Sequence, residues 1–317
     1  MALETITTVP KAGIDRYRQA EEALWRHYGL EPTERFVELA NPRCRLRVVE
    51  VGSGKPIVFL PGTMVTGPAW GALVRELAGY RCLLVDRPGE GLSEPIAFPA
   101  GRYAETVSAV AHGLLDALEL ERTAVVGNSI GNVWALRAAL AMRSRVDRVV
   151  LIGGGPVVDE LEAPGFIKLL ASPVGAIIVR LPFSPDRARG VMRDSGHARS
   201  LDAGRIPEEL VDWMVAFQRD TSSMRAERDM VRTLVGRGGW RPGLALSEAD
   251  FQSVAPALSW IVGSDDPTGS VELWTRTAAR MPNAEVHVID GAGHLPWIDD
   301  PSRVADVIRQ FLAGERN

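Results

Sequence analysis

Apolar positions recur along this chain in two rhythms. Continuous short apolar runs at 56–60 (PIVFL), 81–86 (RCLLVD), 123–127 (TAVVG) and 147–152 (DRVVLI) are rich in β-branched residues and bounded by Gly, Pro or Asp, the signature of strands buried on both faces. Between them lie stretches of helical periodicity at 68–78, 102–119 and 130–142. Ahead of this alternation, 13–30 reads as an amphipathic helix ending at Gly29. FVEL and RLRVVEVG then read as two strands around a turn at Asn41-Pro42. The rhythm breaks after Gly155 and returns with LSWIVG (258–263), a helix, AEVHVID (284–290) and a last helix ending near Leu312. Such a βαβ alternation predicts an α/β fold, a mostly parallel central sheet covered by helices on both faces. Residues 156–250 show helical patterns and no convincing strand, so they are expected to form a helical insertion between two strands. The expected organisation is an N-terminal helical extension (1–34), a core (35–155 and 251–317) and the insertion (156–250).

Composition adds little to this picture. With 317 residues and 46% hydrophobic content the chain can bury one large core. The 36 basic and 40 acidic residues give a net charge of −4 and are interspersed, which gives no reason to expect nucleic acid or an anionic membrane as partner. No stretch of about 18 apolar residues and no leader pattern is visible, and a cytoplasmic location is expected. Cys44 and Cys82 stand apart without zinc or disulfide spacing. Neither a cofactor nor a metal is implied, and the expected partner is a small-molecule substrate.

Chemistry enters at Gly127-Asn128-Ser129-Ile130-Gly131, a G-x-S-x-G placed where an apolar strand stops and a helix begins. A serine on so sharp a turn is lifted above the sheet edge at a helix N-terminus, and the glycines remove side chains that would clash there. A helix-capping serine would suit the same position. A nucleophilic serine needs a base to take its proton. Of the five histidines, His27 and His112 fall in helices, His197 in the insertion and His287 mid-strand. His294 alone lies in a loop after a strand, where parallel sheets place their sites. The loop after LSWIVG offers Asp265 and Asp266 as the group that would orient the imidazole. Spacing does not separate the two.

With these segments, LPGTMVTGPAW (60–70), DRPGEGLS (86–93) and GAGHLPWIDDP (291–301), the chain resembles the α/β-hydrolase superfamily over roughly 35–315. The resemblance implies a Ser129–His294–Asp266 triad, because the family's acid stands in a G-x-x-D pattern. It also implies an oxyanion hole made by the backbone N–H groups of Thr63 and Ile130, and a cap formed by the insertion. Two positions depart from the family pattern: Pro61, where a His is usual, and Asn132, where a small residue is usual. Ser at 129 disfavours the aspartate-nucleophile branches, and the absence of tyrosines from 156–250 sets aside epoxide hydrolysis. A serine hydrolase of a small, largely apolar carboxylic ester is the leading expectation. A carbon–carbon bond hydrolase of the meta-cleavage type, a cofactor-free perhydrolase and a non-catalytic binding relative are the alternatives. Phe166, Leu169, Leu170, Ile177, Ile178, Phe183, Trp213, Met214, Phe217 and Trp240 are expected to form the insertion's core, some of them lining a pocket. Arg187, Arg189, Arg193 and Arg219 are expected to be mostly solvated.

Overall fold

The computed structural model describes residues 10–158, 160–236 and 239–314. The first nine residues of the expected N-terminal extension, residues 159, 237 and 238 of the insertion, and the last three of the core lie outside these. Among the described residues one eight-stranded sheet organises the molecule. Its strands are β1 (Thr33–Ala40), β2 (Arg43–Gly52), β3 (Lys55–Leu60), β4 (Tyr80–Val85), β5 (Thr123–Asn128), β6 (Val146–Ile152), β7 (Ala257–Gly263) and β8 (Ala284–Ile289). They are ordered β1-β2-β4-β3-β5-β6-β7-β8. From β4 to β8 in this order all neighbours are parallel, and β2 alone runs the other way, antiparallel to both β1 and β4.

The period of two along each strand divides the core into two layers. In β3, Val58 and Leu60 join the cluster formed with helices α2 (Tyr103–Ala117) and α3 (Ile130–Ala141). Ile57 and Phe59 point the other way, toward α1 (Lys11–Tyr28), Trp70 and Trp297. All four side chains are at most 2% exposed. Burying each is worth about 1.5–3 kcal/mol, and a charge at Val58 would break the layer. Strand and helix covered on both faces explain why these runs are continuously apolar.

Three details differ from the sequence expectation. The helix expected over 68–78 is a 3-10 turn, Gly67–Trp70, followed by a single α-turn, Gly71–Val74. This segment is squeezed beneath α1: a Cβ on Gly71 would stand 2.2 Å from the Tyr28 ring. The insertion, expected to have no strand, contains a two-residue antiparallel pair, Val235–Gly236 with Gly239–Trp240. The 250/251 boundary falls inside a helix, Glu248–Ser253, whose capping box begins at Ser247. Its Phe251 is fully buried in the core and its Asp250 pairs with Arg137 of α3. The 34/35 boundary likewise falls inside β1.

The insertion leaves the sheet after β6 and returns before β7. Its main helices are α4 (Gly165–Ala171), α5 (Glu208–Asp220) and α6 (Ser223–Leu234). Beyond β7 come α7 (Val271–Ala278) and, after β8, α8 (Pro301–Ala313). The N-terminal helix α1 packs along α5. Arg16 bonds Asp220 of α5, and Glu21 takes hydrogen bonds of 2.8 and 2.7 Å from Arg47 of β2.

Candidate active site

The site gathers at the carboxyl ends of β3, β5, β7 and β8. Ser129 follows β5 directly and has φ 56° and ψ −120°, a left-handed conformation that a non-glycine residue rarely adopts. The neighbouring glycines make the turn sterically feasible. A Cβ on Gly131 would lie 2.0 Å from the Leu60 carbonyl oxygen, and one on Gly127 2.5 Å from that of Gly131. The Ser129 side chain makes no capping bond to α3, so the capping role that suited its position is not the one it plays. Asn132, the departure on the elbow helix, is fully buried and ties α3 to the end of β6. Its amide donates to the carbonyls of Ile152 and Gly153 and its oxygen accepts from the Ile152 N–H.

His294 reaches the site from the loop after β8. Its Nδ1–H donates to Asp266, 3.1 Å from Oδ1 and 3.0 Å from Oδ2. Asp266 also accepts from the Gly154 N–H at 2.8 Å, the Thr268 N–H at 2.9 Å and the Thr268 hydroxyl at 2.7 Å. Burial alone would raise the Asp266 pKa. The imidazole charge and these hydrogen bonds outweigh it and hold the carboxyl at about 2. Asp265, the other aspartate of the loop, turns away to Arg199, 3.3 Å distant, and accepts from the Ser264 hydroxyl. The structure therefore brings His294 to Asp266 and leaves Asp265 outside.

The loop after β3 carries Thr63 and Met64, the latter at φ 61°. Among the described residues, the backbone N–H groups of Thr63 and Ile130 donate to no partner. The Thr63 side chain is anchored, however, by a 2.6 Å hydrogen bond to Glu227 of α6. Glu227 belongs to a buried group with Arg87 and Glu90. Arg87 donates to Glu90 at 2.7 Å, to Glu227 at 3.2 Å and to the Gly62 carbonyl at 3.3 Å. Burial pushes Glu90 well above the usual carboxylate range against the pull of Arg87, and the Glu227 charge pushes the same way. Thr268, Glu90 and Glu227 were not singled out from sequence. Glu90 lies inside DRPGEGLS, but nothing in the pattern of α6 distinguishes Glu227 from a solvated acid.

A cavity of about 770 Å³ opens over Ser129, Ile130, Thr63 and His294. Its upper walls come from the insertion, including Phe166, Trp213, Met214, Met230 and Trp240. Of the other expected insertion apolar residues, Leu170 and Phe217 are buried, whereas Leu169 and Ile177 are exposed. Charged residues on the lining are Glu162, Lys168, Asp194 and Glu227, and no arginine lines it among the described residues. Arg187 bonds the Pro182 carbonyl; Arg189, Arg193 and Arg219 pair with Glu208, Asp202 and Asp220. Of the remaining histidines, His27 faces Glu209, His112 Asp116 and His287 Glu285, while His197, on the cavity lining, faces Asp299. No group of three or more His, Cys, Asp or Glu side chains stands where it could hold a metal ion among the described residues. No helix among them is long and apolar enough to cross a membrane.

A nearly parallel sheet with a serine on a strained strand-to-helix turn and a His–Asp pair on the following loops defines the class of α/β hydrolases. The chain belongs to the α/β-hydrolase family, whose model matches residues 57–307. It is 32% identical over 280 residues to a 2-hydroxy-6-oxononadienedioate/2-hydroxy-6-oxononatrienedioate hydrolase of Cupriavidus pinatubonensis, covering 83% of this chain and 89% of that one. A Paraburkholderia phymatum enzyme of the same name is 30% identical over 294 residues, 88% of this chain and 96% of the other. Among solved structures, carboxylesterase CesB from Bacillus subtilis matches with a TM-score of 0.74 at 17% identity, covering 96% and 99% of the two chains. The meta-cleavage product hydrolase CumD from Pseudomonas fluorescens IP01 matches with a TM-score of 0.67 at 23% identity, covering 89% and 98%.

Proposed function

We propose that this hydrolase uses Ser129 as nucleophile, His294 as general base and Asp266 as the group that orients and supports the imidazole, and that it cleaves a small, uncharged, largely apolar carboxylic ester. The insertion serves as a cap that selects the substrate. The reading rests on one observation: a serine in a strained left-handed conformation at the floor of an apolar cavity shared with a histidine bonded to a buried carboxylate. In this mechanism His294 takes the Ser129 proton as Oγ attacks the acyl carbon. The N–H groups of Thr63 and Ile130 hold the resulting oxyanion, each such donor being worth roughly 3–4 kcal/mol. Collapse expels the alcohol, protonated by His294, and leaves an acyl-enzyme. Water activated by the same imidazole then releases the acid.

Cleavage of a carbon–carbon bond is the second reading, and the sequence relatives support it better than ester cleavage, since they are named as hydrolases of 2-hydroxy-6-oxononadienedioate. The charges of the cavity argue against a dicarboxylate here. Lys168 is the single cation on its described lining and is already 3.3 Å from Glu162, while Asp194 adds a further carboxylate and Glu227 is held by Arg87. A neutral vinylogous diketone is the carbon–carbon substrate that this lining would admit. Labelling with a fluorophosphonate probe and mapping the modified peptide tests the nucleophile. Ser129→Ala is expected to lose both labelling and turnover of a short-chain aryl ester while keeping its circular dichroism spectrum, and retained turnover would overturn the assignment. A panel of neutral esters, vinylogous diketones and their dicarboxylate analogues, with peroxide as alternative acceptor, decides the bond cleaved.

A further inference from the structure

We propose that His197, from the insertion, is a positioning residue that holds the His294 loop in register; the inference rests on His294 being the base. Three consecutive backbone N–H groups bracket that histidine, and each has a separate acceptor. Gly293 donates to Asp299 Oδ2 at 2.8 Å, His294 to the Ser195 carbonyl at 2.9 Å, and Leu295 to His197 Nε2 at 3.3 Å. Two of these acceptors lie on the insertion, about a hundred residues earlier in the chain. The third, Asp299, is itself clamped to the insertion, accepting from His197 Nδ1 at 2.7 Å and from the Ser200 hydroxyl.

These bonds admit one protonation state of the ring. A carboxylate at Nδ1 requires a proton there, and an N–H pointing at Nε2 requires a free lone pair. His197 is 1% exposed, so water does not compete for either nitrogen. The backbones are shaped for the approach. Gly196 has φ 91°, and a Cβ on it would stand 2.3 Å from the Asp265 carbonyl oxygen and 2.8 Å from the Gly293 Cα. A Cβ on Gly293 would in turn meet the Ser195 carbonyl oxygen at 2.5 Å. The segments around residues 196 and 293 therefore interlock without side chains between them. The insertion thereby sets the direction of the imidazole as well as roofing the cavity. An error of about 1 Å at such a group is enough to slow turnover on the order of 100-fold.

The test compares His197→Leu, which removes both bonds, with His197→Gln, whose side-chain oxygen reaches toward the Leu295 N–H. The Leu variant is expected to lose kcat by roughly 10- to 100-fold, with KM close to that of the wild type and slower fluorophosphonate labelling. The Gln variant is expected to recover most of the rate. Thermal melts identify any variant that has simply lost its fold. Independently of turnover, ¹⁵N-histidine spectra of the wild type are expected to show His197 as the neutral Nδ1–H tautomer. An Nε2–H tautomer at His197 would overturn the clamp, as would unchanged kcat in a folded His197→Leu protein. A wild-type protein that fails to label at Ser129 overturns the hydrolase reading instead, and the tautomer then decides the clamp by itself.

Discussion

The Thr63 hydroxyl donates a 2.6 Å hydrogen bond to Glu227, joining the loop after β3 to an insertion helix 164 residues further on. Arg87 reinforces the joint by reaching both Glu227 and the Gly62 carbonyl. The Gly62–Thr63 peptide, whose N–H is assigned to the oxyanion, is thus fixed from the insertion side. Glu227→Ala is expected to lower kcat roughly 10- to 100-fold, with a smaller change in KM. Thr63→Val should do much the same, and the double variant should be no worse than the more severe single one. Steady-state kinetics on an aryl ester checks this, and additive effects would show that the two side chains act separately.

The two aspartates of the loop after β7 should separate cleanly. Asp266 bonds His294, whereas Asp265 faces a guanidinium at the surface. Asp266→Asn favours the wrong imidazole tautomer and is expected to reduce kcat by on the order of 10⁴. Asp265→Asn removes a partly exposed ion pair and should stay within about fivefold of the wild type. Parallel kinetic measurements on the two variants decide it, and the opposite ranking would refute the assigned roles.

Asp266 also ties stability to pH. Its folded pKa of about 2 lies below the ordinary value of 3.8, so the ionised form is the one that folding favours. Its contribution is complete above about pH 4 and is lost as pH falls toward 2, amounting to roughly 2 kcal/mol. Urea denaturation at several pH values should therefore show Asp266→Asn less stable than the wild type at pH 6, with the gap narrowing in acid. A gap independent of pH would contradict this.

Glu90 should behave in the opposite sense. Its folded pKa is raised by burial and by Glu227 above the value it has in the unfolded chain, so ionisation of the unfolded chain opposes folding at neutral pH. Glu90→Gln should melt at or above the wild-type temperature at pH 7, and this advantage should fade as the pH falls through the ordinary carboxylate range. Arg87→Met should melt lower because it strands the Glu227 charge. A marked loss of stability in Glu90→Gln would show that the carboxylate, and not the acid, is the native form.

The parts legible in sequence were those whose physics is local. β3 and β5 declare themselves because burial on both faces demands an unbroken apolar run, and Ser129 because its backbone conformation demands glycines at 127 and 131. His294 was reachable by elimination, since it alone occupied a loop after a strand. The apolar spacing over 68–78 suits one longer helix, whereas the short α-turn at Gly71–Val74, with Gly71 packed against the Tyr28 ring, belongs to the tertiary structure. The Val235–Trp240 pair is too short to generate a period. Glu227 and His197 look like any acid or histidine in a helical segment, and their partners stand far away in the chain. Their meaning comes from the packing of the insertion on the core.

The helix at the start of the chain has a consequence for how the molecule can open. Helix α1 grips α5 through Arg16 and Asp220 while Glu21 stays buried against Arg47 of the sheet. Swinging α5 away from the core must therefore either detach it from α1, taking Arg16 from the nearly buried Asp220 and leaving it Arg219, or lift α1 off the sheet, taking Glu21 from Arg47 and leaving it Glu34 and Asp86. Either route exposes apolar surface and breaks an ion pair together. Helix α1 thereby links the roof over the cavity to the sheet beneath it.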